Sequence, residues 1–257
     1  MNFRPQISYP ECENHKIASL ENLFRDWHQH FAANSLQLGK HTADEMVWDG
    51  FYPHYFSQRK RILFVGRESR DIAGYHNMDV IFNAYRLDKK INGKPLDNNY
   101  FHSRMIYVAY GIMNGLPLWH DIPFASEIVD SFGAPHGLSF AFMNISKLSN
   151  ESEHFASDFD AIRTAYSLSS QSRNYIREEV AILEPHIVIT MNLGNKIHAL
   201  GQLTELHRSG EAETYRLLSG SHRSLLINTW HFAAWNKNAI KSLYNPICDA
   251  IHRFESI

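Results

Sequence analysis

Between Lys60 and Arg70 the chain reads Lys-Arg-Ile-Leu-Phe-Val-Gly-Arg-Glu-Ser-Arg, an apolar run that stops at a glycine and gives way to charge. A run of this kind, with no polar alternation, fits a strand buried on both faces, the situation of strands in parallel sheets. Helices must then cover both faces, which constrains the chain to an α/β fold. Gly66 to Arg70 falls at the carboxyl end of that strand, where the loops of open α/β sheets converge on a ligand crevice. Glu68 is the carboxylate in that loop.

Three more stretches have the same character: residues 139–145, 186–191 and 225–229. Helical spacing of apolar residues is expected over 17–37, with Ser19 as N-cap and Gly39 as the stop, and over 78–88 and 102–114. It is also expected over 172–183, ended by Pro185, and over 195–206 and 236–252. Residues 43–56 read as a short helix or turn, 89–99 as an exposed excursion and 115–137 as a long irregular connection. Residues 150–170 read as a loop into a helix, and 207–222 as surface. No repeat or linker divides the 257 residues, so one α/β domain is expected over 1–257, with 1–57 as a helical extension packed on it.

The formal net charge of -2 argues against nucleic-acid binding through overall electrostatics, so any such contact must be local. Cys12 and Cys248 form no ligand spacing, and 16 histidines include no HExxH or Cys/His quartet, so neither a metal nor another cofactor is expected. No apolar run approaches the roughly 18 residues of a membrane span. The simplest expectation is a soluble cytoplasmic protein with no membrane partner.

If the strands are parallel, their carboxyl ends share one edge, and three distant side chains become neighbours: Glu68, Asn144 and His231. Ile62-Leu63-Phe64-Val65-Gly66-Arg67-Glu68, Phe140-Ala141-Phe142-Met143-Asn144 and Ile227-Asn228-Thr229-Trp230-His231-Phe232 resemble, in order, three motifs of the uracil-DNA glycosylase superfamily. Those motifs are Gly-Gln-Asp-Pro-Tyr after the first strand, an apolar run ending in Asn, and His-Pro after the last. The resemblance spans roughly residues 58–235. This chain has Arg67-Glu68-Ser69-Arg70 where the family has Gln-Asp-Pro-Tyr, and Phe232 in place of the last Pro.

The resemblance implies a three-layer αβα sandwich around a mostly parallel four-stranded sheet. It also implies a DNA glycosylase-like hydrolase that cleaves the N-glycosidic bond of uracil or another damaged base. Under it Glu68 positions water, His231 stabilises the departing base, and Asn144 reads the base edge, with Gly66, Arg67, Ser69 and Asn192 as further base or ligand contacts. Arg70, Lys147, Phe232 and Trp235 would touch nucleic acid or phosphate. Phe232 and Trp235 either wedge into a base stack or pack under the final helix.

Two other readings share the crevice. One is a catalytically inactive protein of the same fold that binds a nucleotide, modified base or nucleic acid. The other is hydrolysis of a small phosphorylated or nucleoside substrate, with Arg67, Arg70 and Lys147 as anion contacts. No P-loop, GxSxG or dinucleotide-binding glycine pattern occurs to support a standard nucleotide enzyme or serine hydrolase.

Overall fold

The computed structural model describes residues 2–152, 156–208 and 211–255. In chain order the elements are α1 (Asn14–Ala33), α2 (Ser35–Leu38), β1 (Gly50–Phe51), β2 (Ile62–Gly66), α3 (Asn77–Asn83), β3 (Lys90–Ile91), β4 (Lys94–Pro95), α4 (Tyr100–Met113) and α5 (Ala125–Ile128). Then follow β5 (Ala141–Asn144), α6 (Phe159–Ser170), α7 (Tyr175–Leu183), β6 (Ile187–Met191), β7 (Gln202–Arg208), β8 (Glu213–Ser219), β9 (His222–Thr229) and α8 (Asn245–Glu255).

Among the described residues the central sheet has seven strands in the order β1-β5-β2-β6-β9-β8-β7. Its middle, β5-β2-β6-β9, is parallel throughout and corresponds to the four expected strands. Three antiparallel strands extend it, β1 on one side and β8 and β7 on the other. The chain leaves β2 toward β5 and leaves β6 in the opposite direction toward β9. That reversal opens a crevice above the carboxyl ends.

Side chains alternate across the sheet. Leu63, Val65, Met143 and Val188 face one core with Phe24 and Trp27 of α1 and Ile176 and Val180 of α7. Ile62, Phe64, Phe142 and Ile189 face the other with Ile106 of α4 and Ile247 of α8. Every residue of β2 is buried, as the uninterrupted apolar run requires. Each large apolar side chain contributes roughly 1.5–3 kcal/mol by leaving water.

Several expected boundaries shift. The first helix breaks at Asn34 into α1 and α2, and the helix expected over 78–88 becomes α3 followed by a π-turn at Ala84–Asp88. The 89–99 excursion carries the two-stranded ribbon β3-β4. The helix expected over 195–206 is overturned: a 3-10 segment runs Gly194–Leu200 and β7 begins at Gln202. Gly201 lies so close to the Leu218 carbonyl that a Cβ there would clash with it, which fixes the chain against β8. The surface expected over 207–222 is largely strand, β8 among it. Residues 153–155 and 209–210 of the expected loop and surface segments lie outside the described residues.

Both margins of the sheet are modest. β1 is two residues long, and β7 carries an irregularity in its pairing between Glu205 and His207. No helix among the described residues is long and apolar enough to cross a membrane.

Candidate active site at the strand ends

Gly66 and Asn144 are register partners at the carboxyl ends of β2 and β5. The ladder continues past them, with the Ile145 N–H on the Gly66 carbonyl (3.1 Å), Ser146 on Arg67 (2.9 Å) and Asn150 on Ser69 (2.8 Å). The Gly66 to Arg70 loop is therefore held as extended backbone beside residues 144–150. β9 ends two residues before His231, on the same edge. A pocket of about 510 Å³ opens there, and Glu68, Asn144 and His231 all line it.

Asn144 forms the buried floor. Its Nδ2 donates to Ser69 Oγ at 2.9 Å, while its Oδ1 has no hydrogen-bond partner. An unfilled buried acceptor costs roughly 1–3 kcal/mol, which a ligand N–H would recover. Gly66 leaves the space this amide occupies, since a Cβ there would collide with Asn144 Oδ1. Arg67 Nε is a buried donor, also without a hydrogen-bond partner. Two pocket-lining residues thus each hold one buried atom without a hydrogen-bond partner, an acceptor on Asn144 and a donor on Arg67.

His231 is held as a neutral imidazole with a defined tautomer. The Ala233 N–H donates to Nδ1 at 3.2 Å, so that nitrogen carries no proton and Nε2–H is the donor. Burial, and then the positive charge of Arg67, push its pKa down to about 4. The Phe101 ring stacks on it, 5.3 Å between centroids and 29° between planes, and so fixes its orientation.

Glu68 is mostly buried, and its Oε2 lies 3.7 Å from Arg67 Nε, an ion pair too long to be a hydrogen bond. Ser69 and Arg70 also line the pocket. Arg70 donates to the Ser152 carbonyl and lies 3.5 Å from Asp71.

Three expected site residues are placed elsewhere. Asn192 does not line the pocket: it sits in a left-handed turn (φ 59°), exposed, with its N–H on the Thr229 carbonyl. Lys147 is fully buried, 2.6 Å from Asp49 Oδ2 and 2.7 Å from Glu179 Oε2, and cannot reach a phosphate. Phe232 is fully buried against Phe64, so of the two wedge candidates it is the packing residue. Trp235 is exposed.

The pocket also contains residues that no motif indicated. Phe101 and His102 enter it because Asn99, lining the pocket, caps α4 through the His102 N–H. Asp49 lies beneath: its Oδ2 takes the Asn144 N–H (2.8 Å) and Lys147, and its Oδ1 takes Nδ2 of the pocket residue Asn77 (3.3 Å). The sequence places the helix start at 102 and Asn99 in the preceding excursion; the structure moves the start to Tyr100 and makes Asn99 its cap.

His76, His102 and His231 all have lowered pKa values, to about 3, about 3 and about 4, with burial the largest cause in each. Unfolded, each titrates near 6.5. Their contribution is whole above that value and is lost as pH falls toward 3–4, because the unfolded chain binds protons that the folded chain refuses. Glu179, raised by burial to about 7, and Glu13, also raised by burial, work in the opposite direction, while His186, Asp158 and Glu184, all lowered, act with the three rings. Urea midpoints should therefore fall as pH drops from 6.5 to 4. A constant or rising midpoint would contradict the neutral burial of these rings.

No family model, curated protein or solved structure matches the chain.

Proposed function

We propose that the chain is a DNA glycosylase-like hydrolase that releases a damaged base, uracil among the candidates, and serves DNA repair in the cytoplasm. What carries the reading is the meeting of Glu68, Asn144 and His231, from three separate strand ends, in one pocket. In N-glycosidic cleavage the sugar carbon becomes cationic and the departing base anionic. Glu68 supplies the carboxylate that stabilises the cation and orients the attacking water. His231 Nε2–H donates to the developing anion, and a neutral ring with a fixed tautomer stabilises that anion through the hydrogen bond without handing over its proton. Asn144 Oδ1 accepts an N–H from the edge of a flipped-out base, with Ser69 holding the amide in place. Phe101 and Phe142, 6.2 Å apart and nearly perpendicular, supply aromatic walls. The three-layer arrangement implied by the resemblance belongs to the same reading.

The test is base release. Oligonucleotides each carrying one uracil or another damaged base are incubated with the protein, and abasic sites are revealed by alkaline cleavage. At least one lesion should be cut, and Glu68→Gln should lower the rate by roughly tenfold to a hundredfold while leaving affinity for the substrate nearly unchanged. A full panel left uncut at enzyme excess would overturn the reading in favour of a binding protein.

A further inference from the structure

Four large aromatic side chains stand exposed on segments that adjoin the pocket lining: Tyr75 at 65%, Tyr100 at 61%, Phe159 at 66% and Trp235 at 91%. Each is within three residues of one that lines the pocket, namely Ile72, Asn99, Ser157 and Ala233. Three residues of chain span at most roughly 11 Å, so the backbone of each lies within about that distance of the pocket lining. Two are backed by guanidinium groups: Arg67 lies 6.0 Å from the Phe159 centroid and Arg104 lies 4.9 Å from that of Tyr100. Arg104 also donates to the carbonyls of Phe232 (2.5 Å) and Ala234 (3.4 Å), so the loop that presents Trp235 is anchored to α4.

Exposed apolar area of this kind fits a partner, and its distribution selects the partner's chemistry. The rings sit on four separate segments, and among the described residues no two of them stack on each other, so each suits its own planar contact. We propose that they form a stacking rim for single-stranded DNA, which carries unstacked bases past the pocket. This rests on the glycosylase reading and adds the form of the substrate. Duplex DNA keeps its base faces covered, whereas an unpaired strand offers one face per nucleotide. The overall charge of -2 agrees with affinity drawn from stacking more than from phosphate neutralisation.

The test uses undamaged, fluorescently labelled oligothymidylate, its duplex with oligoadenylate, and oligouridylate, with binding followed by anisotropy. The single DNA strand should bind at least about tenfold more tightly than the duplex, with a salt slope shallower than about -2. Trp235→Ala and Phe159→Ala should each weaken it roughly fivefold to a hundredfold without changing the thermal melt, and Trp235 fluorescence should be quenched on binding. Equal binding of duplex, tighter binding of RNA, or unchanged affinity in both variants would overturn the proposal. Because no damaged base is involved, single-strand binding without base release would count against the glycosylase reading alone. Base release without strand preference would count against the rim alone.

Discussion

His231→Ala should slow base release by roughly a hundredfold to a thousandfold, the loss found when one preorganised donor to a developing anion is removed. The effect belongs in the chemical step, since the Ala233 N–H and the Phe101 ring already fix the imidazole before any substrate arrives. Single-turnover kinetics at saturating enzyme isolate that step. Because the pKa of His231 is held near 4, the wild-type rate should show no inflection near pH 6.5 attributable to this ring. A rate that survives the substitution, or an inflection at 6.5 that the variant loses, would mean that the neutral donor has been assigned to the wrong residue.

Lys147→Met should be the most destabilising of the substitutions considered. The ammonium lies between Asp49 and Glu179 with all three side chains fully buried, and the rings of Trp27 and Phe24 are 5.0 and 5.6 Å from it. Burial opposes its charge, yet the two carboxylates overcome that and raise its pKa. Removing it leaves two carboxylates without their cation, and breaking a buried ion pair costs about 3–5 kcal/mol. Urea unfolding at neutral pH measures the loss. Since Asp49 also holds the Asn144 N–H and the Asn77 amide, the damage should extend to the pocket floor. A loss below about 1 kcal/mol would show that the cluster relaxes at little cost, as some buried ion pairs do when replaced by apolar groups.

The parallel centre of the fold was legible because β2, β5, β6 and β9 are largely buried and are written as apolar runs, three of them with a pocket residue at or just beyond the end. α1 was legible for a similar reason: Ile17, Leu20, Leu23, Phe24, Trp27 and Phe31 repeat at helical spacing and all are buried. β7 was not. Ile197, Leu200, Leu203 and Leu206 stand three apart and imitate a helix, but pairing with β8 and the tight approach at Gly201 decide otherwise. Of the site, Glu68, Asn144 and His231 could be named because they follow strands. Lys147 follows one too and was misplaced, because its burial depends on Asp49 and Glu179 from distant segments. Phe101 escaped notice because only the tertiary structure sets the start of α4 over the pocket.

The margins of the sheet bear on how the protein behaves at high concentration. A strand left open at an edge is a template on which another chain can add, and the usual safeguards are brevity, charge and broken register. β1 offers two residues, too few to seed a ladder, and β7 offers Glu205, His207 and Arg208 around its pairing irregularity. Neither end gives a growing fibril a regular first rung. The chain can thus carry exposed aromatic rings without its sheet becoming a route to self-assembly.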